Sequence, residues 1–503
     1  MNFRTLTLAL SHFVGEGNLM AEGSVMSTTS SLVYKDLRGY LDAVEQLGEL
    51  RVVKGADWDL EVGAITEVAA RAINPKVLLF DDVKGYPSGF RVLTNPVCSA
   101  TTTALAFGLE PKLTGLEIIR AWKKKLGSQK PLKPVAVSNG PITENLDSGN
   151  QVDLLKFPTP RWHEADGGRY IGTGCMVIMQ DPEENWTNVG TYRVCVHDHN
   201  TLGIWISPGK HGRLIREKYW SQGRACPVVI SFGQDPVLAK VASWYEPWGV
   251  SELEIAGWLF GEPVKFVRGA ETGLPIPASS ELAVEGYIVS PKEDSRAEGP
   301  FGEWTGYYAS GTRNEPVVKV KNVFYRNNPI ILGMPPGISG KSVALSAANV
   351  WLALEKAGVT DVHGVWEYQT RYITVISINQ KYGGHAKRAA MAMLGSTYGY
   401  HRRFVIVVDE DVDPSNIDDV LWAVATRCDP ATAINIINEA WSTPLDPRIA
   451  PDARAARNFT NSVAIVNACR PYHWKDQYAK TCYFPEETRR QTLEKWKDVL
   501  RLE

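Results

Sequence analysis

The chain has 503 residues, of which 44% are hydrophobic and 22% are charged, and its formal net charge is −2 at pH 7. This composition is typical of a globular protein, and the near-neutral charge argues against a protein that binds nucleic acid through bulk electrostatics. No apolar run approaches the roughly 18–20 residues of a membrane span, and the length predicts about three domains.

The first predicted domain alternates helices with short strands. Residues 1–31 are rich in Ser, Thr and Gly and are interpreted as a disordered extension without the features of a signal peptide. In the domain predicted at 32–135, apolar periodicity indicates helices at 37–47, 60–72 and 117–125 and strands at 50–53 and 77–80. This alternation predicts an α/β domain, and a proline-containing linker at 127–141 follows it.

The pattern changes in the second predicted domain, 136–335. Short apolar runs broken by Gly, Pro and Asn predict strands at 175–179, 192–196, 228–232, 264–267, 283–289 and 317–325. Strands at this spacing are typical of a barrel or folded sheet.

Helices return in the third predicted domain, 336–503. The pattern indicates a helix at 343–358, strands at 372–378 and 404–408, and a terminal amphipathic helix at 486–500 that could dock on a partner. A further helix is predicted to begin at Ser415, with Asp418 in its first turn, where an acidic side chain suits the helix dipole.

The cysteines and tryptophans carry weaker signals. Seven scattered cysteines without a C-x-x-C pair predict reduced thiols in a cytoplasmic protein rather than disulfides or a zinc site. Tryptophans are numerous, and those at 205, 244, 248 and 258 could form a flat aromatic pocket, although core packing is the commoner role.

The strongest functional signal is Glu298-Gly-Pro-Phe-Gly-Glu303. Pro300 excludes a helix interior, and the glycines allow unusual backbone angles, so the segment is predicted to be a loop. Residues five apart in a strand face opposite sides, but a turn can bring both carboxylates together. Such a pair separates its two pKa values, so that one carboxyl can hold a proton near neutral pH. The alternative is a surface turn with two solvated glutamates.

A second candidate is the segment Trp186–Arg193, which is interpreted as a strand that carries Asn188 and Arg193. Strict alternation places these two side chains on opposite faces, unless Gly190 marks a bulge or Asn188 precedes the strand. An inward arginine needs an anionic partner, for which Glu298 or a substrate carboxylate would serve. The alternative is an arginine on a solvated strand face.

Two loops have polar residues that could bind a ligand. Asp166-Gly-Gly168 is a predicted turn whose amides, with Arg169, could cradle a phosphate, although an ordinary connecting loop is also consistent with it. The Pro-Gly turn before Lys210 and His211 presents a cation and an imidazole, and Glu252 or Glu254 could join His211 around Mn²⁺ or Mg²⁺.

Three other motifs are not interpreted as sites. His197-Asp-His199 looks like a metal pair, but its composition favours a surface turn. Gly172-Thr-Gly174 lacks the third small residue of a dinucleotide fingerprint, and Gly340-Lys-Ser342 lacks the first glycine of a phosphate loop, so nucleotide hydrolysis is rejected.

Together the motifs resemble the UbiD-like decarboxylases, which use prenylated FMN, and the resemblance is greatest to the vanillate and hydroxybenzoate branch. The matching runs keep their order from about Tyr34 to the C-terminus: FPTPRWHEADGGRYIGTG, WTNVGTYR, PGKH, GVSELEIAG, EGPFGEWTGYY, YRNNPI and VVDEDVDPSNIDDVLWAVATR. The resemblance implies a mixed α+β and α/β fold in which a split β-barrel cofactor domain lies between an N-terminal α/β domain and a C-terminal α/β dimerisation domain. It also implies a homodimer or hexamer supplied with cofactor by a flavin prenyltransferase.

Site residues follow from the same resemblance. Arg193, Glu298 and Glu303 match the family's catalytic network, with Glu303 as proton donor, Glu298 holding Arg193, and Arg193 meeting the carboxylate of a small aromatic acid substrate. Asn188, His211 and Glu252 match the ligands of a divalent metal, usually Mn²⁺, with K⁺ often nearby. The implied cofactor contacts come from Arg169, Asn188, Thr191, Tyr192, Arg193, Lys210, His211 and Glu252.

One departure from the family pattern concerns residues 395–401. Some members place a lysine near the cofactor shortly before the strand predicted at 404–408, and this chain has none there.

Two alternative functions for the chain are an oxidoreductase that uses unmodified FMN and a non-catalytic flavin-binding or assembly subunit. Chemical logic favours the decarboxylase, because removal of CO₂ leaves a carbanion that only an electron-sink cofactor stabilises well.

Overall fold

The computed structural model describes residues 32–244, 246–308, 311–337, 342–368 and 371–500. The extension predicted at 1–31 lies outside these residues, as do Gly340 and Lys341 of the rejected phosphate loop.

Four helices and three strands form the N-terminal region: α1 (Leu37–Gln46), β1 (Leu50–Lys54), α2 (Glu61–Arg71), β2 (Val77–Asp81), β3 (Arg91–Thr94), α3 (Ala100–Ala106) and α4 (Gly115–Leu126). Asp36 begins α1 by accepting a hydrogen bond from the amide of Gly39, and the apolar face of that helix is buried. β1 and β2 are parallel, β3 is antiparallel to β2, and a strand at Ile330–Leu332 pairs with β3 to complete the sheet. The α/β character predicted for this region is confirmed.

The central region is dominated by strands: β4 (Val135–Ala136), β5 (Asn145–Ser148), β6 (Arg169–Gly172), β7 (Met176–Gln180), β8 (Thr187–Gly190), β9 (Arg193–Val196), β10 (Thr201–Trp205), β11 (Cys226–Ser231), β12 (Lys265–Arg268), β13 (Pro275–Pro277), β14 (Leu282–Ile288), β15 (Ser295–Glu298), β16 (Arg313–Tyr325) and β17 (Ile330–Leu332). Its helices are α5 (His211–Ser221), α6 (Pro236–Ala242) and α7 (Glu252–Phe260). Ten of the strands form one sheet of order β6-β9-β10-β16-β14-β11-β7-β8, with β5 and β15 attached to β16.

The connection between β8 and β9 requires this sheet to curl. The two strands are six strand spacings apart in the sheet order, which in a flat sheet would be about 28–29 Å. Only Thr191 and Tyr192 connect them, and a stretch that short spans at most about 11 Å. The ends of the sheet therefore approach each other, as in the split barrel that the resemblance implied.

The curl corrects the expectation for Trp186–Arg193. This segment is not one strand, because it contains all of β8, a two-residue crossing and the first residue of β9. Asn188 lies on β8 and Arg193 on β9, so the alternation rule for a single strand does not apply to the pair. The tight crossing could not be seen in the sequence, since residues on both sides of it are apolar and β-forming.

The C-terminal region returns to alternating helices and strands: α8 (Ser346–Lys356), β18 (Val362–Tyr368), β19 (Ile373–Ile378), α9 (His385–Leu394), β20 (Phe404–Asp409), α10 (Ile417–Arg427), α11 (Pro430–Ala433), β21 (Ile434–Trp441), α12 (Pro451–Ala455), β22 (Thr460–Ala468) and α13 (Glu486–Leu500). The sheet order is β18-β19-β20-β22-β21. The predicted start of α10 at Ser415 is wrong: the helix begins at Ile417, because the Asn416 side chain caps it by accepting from the amide of Asp418.

Two further expectations concern the whole chain. The seven cysteines form no disulfides with one another, as predicted. A helix with the length and apolar character needed to cross a membrane is absent from the described residues. The domain boundaries and the cytoplasmic location stay predictions.

Candidate active site

Arg193 lies at the start of β9 and is held by two carboxylates. Its Nε and Nη2 donate to the two oxygens of Glu298 at 2.6 and 2.7 Å, and its Nη1 donates to Oε1 of Glu303 at 2.7 Å. The residue is only 8% exposed, and a guanidinium at that depth is costly unless it is paired. The sequence left open which anion would pair with an inward Arg193, and the structure shows that Glu298 is that partner.

The turn between the two glutamates brings them to the same guanidinium. Glu298 ends β15, and Gly299 follows with a φ of +82°, a value that favours glycine. Glu298 is 2% exposed and Glu303 is 7% exposed. The alternative of two solvated glutamates is therefore wrong, and the predicted convergence of the carboxylates is confirmed.

Burial gives Glu303 the acidity of a group that exchanges protons near neutral pH. Desolvation raises the pKa of this carboxyl to about 7, opposed by the charge of Arg193, aided by repulsion from Glu298 and opposed again by Arg313. A general acid works best when its pKa is close to the working pH. The site therefore places a carboxyl that can gain or lose a proton near neutral pH beside an arginine that could also meet a carboxylate ligand.

The Asp166-Gly-Gly168 turn supports the loop that bears Glu303. Gly167 donates its amide to the carbonyl of Pro300 at 2.8 Å, and Asp166 accepts from the amide of Gly302 at 2.9 Å. A Cβ on Gly167 would lie 2.1 Å from the carbonyl oxygen of Gly299, so only glycine fits this approach. The Gly167 amide predicted for a phosphate is thus bonded to protein.

Arg169, a predicted cofactor contact, is surrounded by protein groups. Its Nε donates to the carbonyl of Thr159 at 2.9 Å, its Nη2 donates to the hydroxyl of Tyr86, and its guanidinium lies 4.2 Å from the ring centre of Trp58. These contacts fasten the loop to the N-terminal region. A contact between Arg169 and a cofactor stays a prediction.

Aromatic rings and a tyrosine hydroxyl frame the Arg193 group, and reasoning from sequence missed most of them. The guanidinium lies 4.8 Å from the ring centre of Trp205 and 5.1 Å from that of Phe301. Tyr170 donates its hydroxyl to Oε1 of Glu298 at 3.0 Å. Phe301 and Tyr170 belong to motifs already singled out, so their aromatic character next to the acidic and glycine-rich turns was the available signal.

A second polar cluster joins β8 to the start of α7. Glu252 accepts from the amide of Val189 at 2.7 Å and from Nδ2 of Asn188 at 3.2 Å. Burial raises the pKa of Glu252 to about 8, the nearby charge of Glu246 adds to the rise, and both hydrogen bonds oppose it. Of the two candidate glutamates, the structure brings Glu252 to Asn188, while Glu254 lies two residues further along α7.

His211, the third predicted ligand, begins α5 beside this cluster. Its ring lies 5.7 Å from that of Trp186 and 5.2 Å from that of Trp248. Both α5 and α7 pack against β8, so the ring is flanked by residues that are close in sequence to the other two ligands. Within the described residues, no three His, Cys, Asp or Glu side chains are grouped tightly enough to hold a metal, and the predicted set contains only two of these types plus an amide.

Several buried polar atoms around this cluster have no hydrogen-bond partner in the described structure: Trp186 Nε1, Asn188 Oδ1, Thr191 Oγ1 and Ser251 Oγ. Buried polar groups are normally satisfied, so a concentration of such atoms in one place fits a polar ligand. Asn188 Oδ1, the Glu252 carboxylate and an imidazole are donors that suit a hard divalent cation such as Mn²⁺ or Mg²⁺. The residues present therefore fit the metal and cofactor that the resemblance implied.

The remaining predicted contacts lie along the same crossing and helix start. Thr191 donates its amide to the carbonyl of Ala242 at 2.9 Å, and Tyr192 accepts from the amide of Gly212 at 3.2 Å. Lys210 precedes α5, and burial lowers its pKa to about 8, an effect partly opposed by Tyr400.

Residues 395–401, where the family lysine is missing, approach the active-site loop through rings. His401 lies 5.7 Å from Trp304, the residue that follows Glu303, and Trp304 also lies 5.5 Å from Tyr372. The segment thus supports the acid loop from the C-terminal region, and any contact of it with a cofactor stays a prediction.

The remaining sequence candidates are the histidine motif and the four tryptophans. His199 bonds Asp153 at 2.7 Å and is exposed, as the surface interpretation of His197-Asp-His199 predicts, but His197 is half-buried with its Nε2 enclosed. Of the four tryptophans, Trp205 and Trp248 border the two clusters, whereas Trp244 and Trp258 pack against the hydrophobic core.

Three family models match consecutive parts of the chain. Their descriptions are the N-terminal, Rift-related and C-terminal domains of 3-octaprenyl-4-hydroxybenzoate carboxy-lyase, named UbiD, and they match residues 41–122, 133–339 and 343–465.

Two curated relatives are similar over most of their length. A phenolic acid decarboxylase of Streptomyces sp. (strain D7) is 34% identical over 86% of this chain and 93% of its own. A pyrrole-2-carboxylic acid decarboxylase of Pseudomonas aeruginosa is 31% identical over 92% of this chain and 98% of its own.

Solved structures agree in fold. The vanillic acid decarboxylase of Sedimentibacter hydroxybenzoicus in open form has a TM-score of 0.81 at 29% identity, covering 93% of this chain and 99% of that one. The UbiD-class enzyme HmfF from Pelotomaculum thermopropionicum in complex with FMN has a TM-score of 0.80 at 28% identity, covering 90% and 98%. An evolved dimeric form of the same enzyme, in complex with prFMN, has a TM-score of 0.77 at 27% identity, covering 90% and 98%.

Proposed function

The chain belongs to the UbiD family of carboxy-lyases, and from this premise we propose that it removes CO₂ reversibly and without oxidation from an aromatic, heteroaromatic or α,β-unsaturated carboxylic acid. The observation that carries the proposal is the buried group of Arg193 with Glu298 and Glu303. It combines a fixed cation that suits a carboxylate with an acid that holds a proton near neutral pH.

Arg193 orients the substrate. A guanidinium recognises a carboxylate through paired hydrogen bonds of fixed geometry, and the bonds to Glu298 keep its plane from rotating. Tyr170 in turn fixes Glu298. Because the site is buried, water is largely excluded and these charged contacts are stronger than at the surface.

Glu303 supplies the proton. After the carbon–carbon bond breaks and CO₂ leaves, the carbon that bore the carboxylate needs one proton, which the Glu303 carboxyl delivers before it is reprotonated from solvent. In the carboxylation direction the Glu303 carboxylate removes that proton instead. One residue serves both directions because burial raises its pKa to about 7, so that both the carboxyl and the carboxylate are populated near neutral pH.

We assign the cofactor to the second cluster and its surroundings. Bound prenylated FMN would supply the electron sink for the charge left by the departing CO₂. Asn188, His211 and Glu252 would hold Mn²⁺ or Mg²⁺, with Thr191, Tyr192 and Lys210 along the same crossing as further contacts. We also propose that K⁺ binds to the protein, and we assign no ligands to it.

The substrate class rests on the relatives. The similar proteins are decarboxylases of phenolic acids and of pyrrole-2-carboxylic acid, and the HmfF structures contain FMN or prFMN. We therefore propose a small aromatic or heteroaromatic acid as substrate and a flavin prenyltransferase as the supplier of cofactor. No observation favours the FMN oxidoreductase or the non-catalytic subunit.

The test is to purify the protein after co-expression with a flavin prenyltransferase, measure the mass and absorbance of the bound flavin and the metal content, and incubate it with a panel of benzoic, phenolic, pyrrole and furan acids. We expect a flavin heavier than FMN by one isoprenoid unit, a divalent metal, and loss of CO₂ from at least one acid. An Asn188→Ala variant should lose metal and flavin together. Plain FMN with redox turnover, or no flavin at all despite an active prenyltransferase, would contradict the proposal.

A further inference from the structure

A second arginine, Arg313, stands next to the catalytic group. It begins β16 and is paired directly with Glu298 of β15 in the antiparallel register. Directly opposed residues in such a ladder project on the same face of the sheet. Arg313 is therefore on the side of the sheet on which Glu298 holds Arg193.

Trp205 contacts both arginines. Its ring centre lies 4.8 Å from the Arg193 guanidinium and 4.6 Å from that of Arg313. Trp205 is itself paired with Arg193 in the register of β9 and β10. An electron-rich indole attracts a cation at its face. The ring of Trp205 therefore offsets part of the repulsion between the guanidinium groups of Arg193 and Arg313.

The hydrogen bonds of Arg313 do not satisfy its whole guanidinium. Its Nε donates to Oε1 of Glu315 at 2.5 Å, but its Nη2 is buried and has no hydrogen-bond partner in the described residues. A buried donor without an acceptor destabilises the fold. An arginine kept only for packing against Trp205 would not need this charge in this place.

We propose that Arg313 is a positioning residue for the proton donor, acting through Trp205 on Arg193 and through its charge on Glu303. This rests on the proposed function, in which Glu303 is the acid. Arg313 has no hydrogen bond to Glu303 in the described structure, so its action on that carboxyl is through space and through the shared tryptophan.

The charged and titratable groups around Glu303 come from every element packed on its loop. They are Arg193 from β9, Glu298 from β15, Arg313 from β16, Tyr170 from β6, Asp166 from the glycine-rich turn, His163 beside that turn, Tyr308, which pairs with Gly302, and His401 through Trp304. Arg193 and Arg313 are the two cations that act to lower the pKa of Glu303. Removal of the charge of Arg313 should therefore raise that pKa, and the change should be smaller in Arg313→Lys, which keeps a cation.

The test is a direct titration of Glu303 by infrared difference spectroscopy, in the protein with and without bound flavin. The carboxyl band of Glu303 is identified by its loss in Glu303→Gln, which separates it from other buried acids such as Glu252. In Arg313→Gln we expect the midpoint of that band to rise by up to about one pH unit, a change of up to about tenfold in the dissociation constant.

Arg296→Gln is the matched control, because Arg296 lies two residues before Glu298 on β15 and pairs with Asp198 and Asp294. It should leave the Glu303 midpoint unchanged. Circular dichroism would verify that each variant is folded.

A second pair of variants tests the shared tryptophan. Trp205→Phe, which keeps an aromatic face, should preserve the titration midpoint of Glu303 better than Trp205→Leu.

An unchanged Glu303 midpoint in folded Arg313→Gln would overturn the inference, as would an equal shift in Arg296→Gln. The two proposals fail separately. If the shift appears but no acid is decarboxylated by the wild type, the electrostatic role of Arg313 holds and the proposed function fails. If decarboxylation occurs without the shift, the function stands and Arg313 has no positioning role.

Discussion

Glu303 and Glu298 are two carboxyl groups with different tasks, although they bind the same guanidinium. Glu298 accepts two hydrogen bonds from Arg193 and a third from Tyr170, and these bonds fix its position. Glu303 accepts a single bond from Arg193 and is otherwise buried, so desolvation dominates and favours the protonated form. The environment thus makes Glu298 the group that holds Arg193 in place and Glu303 the group that can carry a proton.

This difference predicts the pH dependence of the reaction. Decarboxylation needs Glu303 protonated, and its pKa is raised to about 7 by burial. The kcat of decarboxylation should be constant below that pH and fall about tenfold per unit above it. Exchange of the product's ring hydrogen with D₂O, which needs the Glu303 carboxylate, should rise over the same range. Measured pH profiles in which both reactions change in the same direction would rule out this assignment.

At the scale of single residues the sequence was informative where chemistry left a side chain few possible partners. An inward Arg193 had to meet an acid, and Glu298 was an available candidate. The aromatic contacts of Arg193 could not be predicted in this way, because Trp205 reaches the arginine only through the pairing of two strands. Arg313 was missed for the same reason, since its neighbour Glu298 lies on another strand.

Among the structural elements, the glycine-rich turn and the acidic loop act as one unit. Gly167 and Asp166 together make two hydrogen bonds to the backbone at Pro300 and Gly302. The backbone amide of Gly167 and the side-chain carboxylate of Asp166 thus fix the backbone of the acidic loop, with no room for a side chain at Gly167. The position of Glu303 is therefore set by a turn more than a hundred residues earlier in the chain.

Gly167→Ala tests this coupling. The added Cβ would lie 2.1 Å from the carbonyl oxygen of Gly299, so one of the two backbones has to move. We expect kcat to fall at least about tenfold, because small displacements of a catalytic group are costly, with a loss of about 1–3 kcal/mol in the free energy of unfolding. Steady-state kinetics and thermal unfolding would measure the two effects.

Gly127→Ala is the control for this variant. Gly127 follows α4 at an ordinary backbone angle, and a Cβ there would meet its nearest atom at 3.4 Å. Activity should not change and stability should change by no more than about 0.5 kcal/mol. Equal kinetics in Gly167→Ala and wild type would show that the two loops are independent.

Elements with strong periodicity were predicted well, and those defined by tertiary contacts were not. The amphipathic helix α1 and the buried strand β20 follow from local pattern alone. The division of Trp186–Arg193 into β8 and β9 does not, because it depends on the curl of a ten-stranded sheet. The start of α10 at Ile417 was displaced from the prediction by the choice between two adjacent capping residues.

For the whole molecule, the terminal helix α13 has an exposed apolar face. Leu493, Trp496 and Leu500 are three and four residues apart on this helix and are each more than 40% exposed. A face of this kind is normally covered. We propose that a second copy of the chain covers it, consistent with the expected homodimer or hexamer.

Truncation after residue 484 tests that proposal. Removal of α13 should reduce the particle mass measured by light scattering, because the buried apolar face is lost. Asp498→Asn, which changes the side of α13 opposite to Leu493, Trp496 and Leu500, should keep the wild-type mass. A wild-type protein that is already monomeric would contradict the proposal.

The most direct test of the central claim compares wild type with Glu303→Gln after both have been loaded with the same amount of flavin. Glutamine keeps the size of the side chain and can still contact Arg193, but it has no acidic proton to give. We predict that Glu303→Gln retains the cofactor and folds normally, while product formation falls about 10²–10⁴-fold. Full decarboxylase turnover by Glu303→Gln would contradict the account.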